Sequence, residues 1–172
     1  MCLSTYVYAD RVKFSTTAPE DGKPEHVYTM VNGNGVYSNG NTTPTQNADN
    51  YGLFAFYEVE NVEGACYIYS YTAGKWLSYT SASSYSNGKD FIKLTDSKNN
   101  NAYFKLNNYS EEYYEMSPYT TAGTTDKYLN WFQGVNGNPY DGPNTLGLYS
   151  TSASGDAGSR YTFTEVVIVS HT

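Results

Sequence analysis

Positive charge is scarce in this chain. Ten Lys and Arg face 17 Asp and Glu over 172 residues, giving a net charge of -7 and a pI near 4.7. No window concentrates the basic residues, so little draws the surface to a phosphate backbone or an anionic membrane, and nucleic acid is not an expected partner. Long apolar runs are missing too. Val166 to Val169 is the clearest, far short of the roughly 20 residues that span a bilayer, so no membrane span is expected. Cys2 and Cys66 are too few for a disulfide framework or a zinc site, and Cys66 lies in an apolar stretch suited to a small core residue. Histidine is limited to His26 and His171, with no Gly-x-Ser-x-Gly elbow beside them. After Met1 comes Cys-Leu-Ser-Thr, without the basic and apolar regions of a signal peptide. The chain as written is therefore either cytoplasmic or a mature or excised form of an exported protein, and its composition suits a secreted or cell-surface setting.

What is abundant is uncharged and polar. The chain has 20 Tyr, 19 Thr, 17 Ser and 17 Asn. Tyr and Thr favour strands, while Asn, Ser and Gly favour turns. Good helix formers are few, which argues against helical and α/β classes. Aromatic residues at 17% of the chain argue against disorder. The length suits a single domain over residues 1–172.

Strand signals are clearest in the middle. Ala65 to Ser70, Gly74 to Ser78, Phe91 to Leu94 and Tyr103 to Leu106 are separated by short turn-forming stretches, as in a consecutive antiparallel arrangement. A similar order follows in Tyr113 to Met116, Lys127 to Asn130, Leu146 to Tyr149 and Arg160 to Val166. It precedes in Val27 to Met30, Gly35 to Tyr37, the turn-rich Asn39 to Asn50, and Leu53 to Val59. Tyr28 to Tyr67 and Gly35 to Gly74 share a spacing of 39 residues, and later spacings are longer. Three pseudo-repeats of about four strands, near 26–64, 65–110 and 111–169, suit a threefold antiparallel barrel, because one unit cannot bury its own apolar face. Phe54 and Phe56, Tyr103 and Phe104, and Tyr161 and Phe163 are expected to interlock in its core. Residues 1–25 are an N-terminal arm or a first strand.

The run Tyr67-Ile-Tyr-Ser70 followed by Gly74-Lys-Trp-Leu-Ser78, together with Lys127-Tyr-Leu-Asn130, Leu146-Gly-Leu-Tyr149 and Gly158-Ser-Arg-Tyr-Thr-Phe163, resembles the ricin-type β-trefoil lectin-like domains. These are attached to secreted glycoside hydrolases and other surface proteins of gut Bacteroidetes. The resemblance covers about residues 26 to 167. It implies an all-β, twelve-stranded β-trefoil and a noncatalytic accessory role in a carbohydrate-rich setting. The family's Gln-x-Trp motif is absent. Phe54-Ala-Phe56, Phe104-Lys-Leu106 and Tyr161-Thr-Phe163 stand in its place, which preserves the core aromatic but not the glutamine.

Sugar binding needs an aromatic face for the apolar side of a pyranose and nearby carboxylates or amides for its hydroxyls. The third unit supplies these types in Asp126, Asn130, Trp131, Tyr140 and Asp141, the expected ligand-binding residues. Trp131 and Phe132 are adjacent, so in a strand they point to opposite faces. The competing role for Trp131 is to cap the barrel. Trp76 reads as core, and Tyr79 and Tyr85 as softer candidates for a second subsite. Tyr119 joins Tyr79, Tyr85 and Tyr140 among the tyrosines in turns and insertions, outside the expected core.

Glu58, Glu60, Glu63, Glu111, Glu112, Glu115 and Asp156 show no distinctive setting and read as solvated surface acids, so no glycosidase pair stands out. No Asp-x-Asp-x-Asp loop accompanies Asp90, Asp96, Asp141 or Asp156. Asn32-Gly-Asn-Gly35 reads as a tight turn, and Arg160 as a residue that pairs with Asp156 or bonds turn carbonyls. The expectation is a glycan-binding module with no catalytic residues, cofactor or metal, joined to a neighbouring catalytic or surface domain. The alternative is a structural or protein-interaction trefoil that binds no sugar.

Overall fold

The computed structural model describes residues 11–80, 91–120, 123–124, 126–131 and 145–169. Among the described residues thirteen strands follow one another: β1 Val27–Asn32, β2 Tyr37–Ser38, β3 Pro44–Thr45, β4 Phe54–Glu58, β5 Cys66–Ser70, β6 Lys75–Tyr79, β7 Ile92–Thr95, β8 Phe104–Asn108, β9 Tyr114–Thr120, β10 Gly123–Thr124, β11 Tyr128–Trp131, β12 Leu146–Tyr149 and β13 Tyr161–Val166.

Their pairing closes a ring. Three long antiparallel ladders, β4 with β5, β8 with β9 and β13 with β1, alternate with three single-residue junctions. Those junctions are Tyr28 opposite Phe54, Cys66 opposite Phe104, and Tyr114 opposite Tyr161. Each joins the first and last strands of one unit, and each long ladder joins one unit to the next. A hairpin completes each unit: β2 with β3, β6 with β7, and β11 with β12. A six-stranded barrel with three hairpins is the all-β trefoil architecture, and closure leaves the barrel strands no open edge.

One local device recurs three times. A 3-10 turn precedes the last strand of each unit, at Ala48–Asn50, Asn100–Ala102 and Ala157–Ser159. The side chains of Asn47, Asn99 and Asp156 accept from the backbone N–H two residues on, at 2.9, 2.8 and 2.7 Å. Asn and Asp do this readily, and the turn aims the chain back into the barrel. Arg160 follows the third turn and donates from Nε to the Ala153 carbonyl at 2.7 Å. Of its two expected roles, bonding a turn carbonyl is the one observed. In the first unit Gly35 donates its N–H to the Asn32 carbonyl at 2.8 Å, closing the expected tight turn.

Period-two alternation sends Phe54, Phe56, Phe104, Tyr161 and Phe163 inward, each 1% exposed or less. Phe163 packs edge-on against Phe56 at 5.2 Å and Tyr114 at 5.5 Å, and Tyr28 meets both Phe56 and Phe163. Burying each ring is worth roughly 1.5–3 kcal/mol, and such edge contacts add about 0.5–1.5 kcal/mol per pair. Tyr103 departs from expectation. Its neighbour Phe104 faces the core, so Tyr103 points outward, half-buried, against Tyr67 at 5.5 Å. Cys66 is buried and free, as its apolar surroundings suggested.

Residues 11–17 run against the barrel, with a single parallel bridge from Ser15 to Tyr57 of β4. Their backbone N–H groups reach buried partners, Val12 to the Tyr114 hydroxyl, Lys13 to the Tyr28 hydroxyl, and Ser15 to the Phe56 carbonyl. Val12 packs on the core from outside. Residues 1–10 of the expected arm or first strand lie outside the described residues. Among the described residues no helix is long and apolar enough to cross a membrane.

Candidate functional site

Of the third-unit candidates, Asp126, Asn130 and Trp131 are among the described residues, and only Asp126 is exposed. Trp131 is 3% exposed and belongs to the main core. It pairs with Leu146 across the β11–β12 hairpin, and the strand's period of two places it on the same inward face as Leu129. Its indole Nε1 is buried without a partner among the described residues. Asn130 is 4% exposed, and its amide donates to the Ser159 hydroxyl at 3.0 Å beneath the closing turn. These two side chains pack the third unit, and of the two roles weighed for Trp131 burial is the one observed. Asp126 is exposed; Tyr140, Asp141 and Phe132 lie outside the described residues.

The softer candidates divide similarly. Tyr79 is 1% exposed and its one hydroxyl proton is shared between the carbonyls of Asn100 and Tyr119, so it is core rather than a subsite. Tyr85 lies outside the described residues. Glu115 is also corrected. It is buried, and its carboxylate accepts from the Asn107 amide and the Ala153 N–H, both at 3.0 Å.

A groove of about 730 Å³ opens elsewhere, at the junction of the first two units and the arm. Phe14 from the arm, Glu58 at the end of β4, the β4–β5 connection and Lys105 and Leu106 of β8 line it. Two successive turns build the connection, with Val62 N–H donating to the Val59 carbonyl and Ala65 N–H to the Val62 carbonyl. Asn61 at φ 61° and Gly64 at φ 81° take the left-handed conformations these turns require. The Tyr119 hydroxyl, on β9, donates to the Glu63 carbonyl at 3.1 Å and holds the connection against the next unit. Tyr119 thus has a definite structural partner.

The groove is amphipathic. Phe14, 36% exposed, together with Val62 and Leu106 offers apolar surface, while the exposed residues Glu58 and Glu63 and the half-buried Lys105 supply charges of both signs to its lining. A hydroxyl both donates and accepts, so it can bond a carboxylate and an ammonium together. Hydrogen bonds to charged groups are worth roughly 1.5–3 kcal/mol.

The arm that carries Phe14 is clasped by Glu25. Its carboxylate accepts from the hydroxyls and backbone N–H groups of Thr16 and Thr17. Those bonds, Thr16 first, hold the Glu25 carboxyl well below the usual carboxylate range. Nearby, Glu165 bonds the His26 ring at 2.6 Å and lies 3.8 Å from the Lys13 ammonium.

The outer face of β4, β5 and β6 carries a second aromatic cluster. Trp76 sits at its centre, with Tyr57, Tyr67 and Tyr69 centroids at 5.5, 5.7 and 4.8 Å. Burial, then a hydrogen bond to Tyr103, pushes the Tyr67 phenol up to about 12. Trp76 was expected in the core; it is buried, but in this outer cluster rather than inside the barrel. Among the described residues no group of three or more His, Cys, Asp or Glu side chains is placed to hold a metal.

No protein-family model and no curated protein matches the sequence. Solved structures match the fold. A designed threefold symmetric protein, ThreeFoil, aligns with a TM-score of 0.58 at 18% identity over 81% of this chain and 99% of its own. SeviL, solved bound to asialo-GM1 saccharide, aligns at 0.52 and 12% identity over 81% of this chain and 96% of its own. The BEL β-trefoil aligns at 0.53 and 13% identity over 93% and 100%. The chain shares the all-β trefoil fold with these proteins.

Proposed function

We propose that the protein is a noncatalytic, lectin-like glycan-binding module that takes a sugar in the groove between Phe14, Glu58, Glu63 and Lys105. The observation that carries the reading is the groove itself, whose lining combines the exposed ring of Phe14 with Glu58, Glu63 and Lys105. A pyranose needs that combination, apolar surface for its C–H face and charged groups for its hydroxyls. SeviL supports the reading as a trefoil solved with a saccharide. Two carboxylates against one ammonium, on a chain of net charge -7, favour neutral sugars over sialylated or uronic ones. A secreted or cell-surface setting, beside a neighbouring catalytic or surface domain, belongs to the same proposal.

Glycan-array screening followed by calorimetry tests it. A neutral oligosaccharide is expected to bind, and Phe14→Ala and Glu58→Gln each to weaken it at least tenfold with an unchanged melting temperature. Loss of binding in Asp126→Ala or Asp141→Ala instead, with the groove variants unaffected, would move the site to the third unit. No binding across a broad panel sinks the reading.

A protein-interaction role is the second reading. The extended segment after β13 favours it, because Val167 and Val169 are 83% and 68% exposed while Val166 and Ile168 pack on the outer aromatic cluster. Apolar side chains presented this way suit a neighbouring domain or partner chain. Pull-down with full-length parent protein, compared with Val167→Ser and Val169→Ser, separates it from the glycan reading.

A further inference from the structure

The outer aromatic cluster holds a cation of its own. The Lys98 ammonium lies over the rings of both Tyr67 and Trp76, 4.8 Å from each centroid. The two rings stand 68° apart with centroids separated by 5.7 Å, so their faces form a corner rather than a stack. Tyr103 extends the wall, edge-on to Tyr67 at 5.5 Å. Lys98 itself is exposed, on the turn after β7. Among the described residues no carboxylate lies within salt-bridge distance of it, and the neighbouring Asp96 is taken by Lys75. The negative faces of the rings, rather than an anion, therefore seat this ammonium.

A seat of that kind does not distinguish its own lysine from a free cation. A primary ammonium is compact and strongly hydrated, so it gives up much water on entering. A trimethylammonium group spreads its charge over three methyls, is weakly hydrated, and fills the same corner with apolar contact added. Lys98 is tethered at one end only by its flexible side chain, so it competes as a local ligand at an effective concentration, not as a fixed part of the wall.

We propose that the Tyr67–Trp76 corner is a binding site for quaternary ammonium groups of the choline type, and that Lys98 occupies it as a displaceable plug. The site lies outside the sugar groove and does not depend on it. Its ligand is recognised through charge and methyl surface, with no requirement for hydroxyls.

The test uses the full chain and choline chloride, with the neutral isostere 3,3-dimethylbutan-1-ol as control. Nitrogen–proton NMR follows the indole signals, of which the chain has two, Trp76 and Trp131; Trp76→Phe identifies the first. Choline is expected to shift the Trp76 signal at millimolar concentration and the isostere is not. Lys98→Ala and Lys98→Gln are expected to tighten choline about fivefold, and Tyr67→Leu to abolish the shift. The proposal is overturned if the isostere acts as well as choline, if both Lys98 variants bind choline no more tightly than the parent, or if the Trp76 signal does not move.

Discussion

The phenol oxygen of Tyr28, sealed inside the barrel, accepts the backbone N–H of Lys13 at 2.6 Å. A core side chain thus holds the arm that carries Phe14 to the groove. Tyr28→Phe keeps the ring and its packing but leaves that N–H without its partner. The expected cost is about 1–2 kcal/mol, seen in a denaturant melt. Hydrogen exchange at the Lys13 amide should accelerate far more than exchange in β4 or β5. Equal acceleration throughout would show that the arm is not held locally.

Phe163 touches aromatic rings from three other barrel strands, through Phe56, Tyr28 and Tyr114. Phe163→Ala is expected to cost about 3–5 kcal/mol, and Phe163→Leu clearly less, because the cavity it leaves is smaller. Chemical denaturation ranks the two. Near-equal costs would mean that the surrounding rings collapse into the space.

This core was the most legible part of the molecule. Phe54, Phe56, Tyr161 and Phe163 sit at period-two spacing in strands bounded by turn residues, and burial of one face is what that spacing encodes. The groove was not legible. Phe14, Glu58 and Lys105 come from three segments, and only barrel closure brings them together. For Trp131 the sequence left two roles open, a sugar platform and a buried cap. Its neighbours Asp126 and Asn130 have the chemistry of a sugar site, but pairing with Leu146 turns the ring inward. The three turn-capping residues Asn47, Asn99 and Asp156 did leave a signal, an Asn or Asp shortly before each closing strand. It was hard to separate from background in a chain with 17 Asn.

The Glu25 clasp gives the arm a dependence on acidity. Its carboxyl lies below the ordinary value of 4.5 in the folded protein, so the stabilisation it provides is present above that value and is lost as pH falls below it. Glu25→Gln should lower the melting temperature at pH 7, and the difference from the parent should shrink as pH drops below 4.5. A constant difference across pH 3–7 would mean that the threonine contacts do not favour the charged form. The group is fully exposed, so the effect should be modest and reduced by salt.

Cys66 is buried between β4 and β8, and burial pushes its thiol up to about 12. The thiolate is the reactive form. In a Cys2→Ser background the folded protein should therefore consume no thiol reagent at pH 8, and one equivalent after unfolding in guanidinium. Reaction in the folded state at a rate independent of denaturant would mean that the barrel opens locally at this ladder.

Pairing Val27 with Val166 makes the ring's last ladder its longest-range one. Chain closure over such a separation carries a large entropic cost before any contact repays it, which puts this barrel among the slow-folding, high-contact-order proteins. During synthesis the inner edges of β1 and β9 wait unpaired until Tyr161 to Val166 has emerged. A nascent chain halted before that point exposes two unpaired strand edges, the kind of surface that recruits chaperones or other unfinished copies of itself.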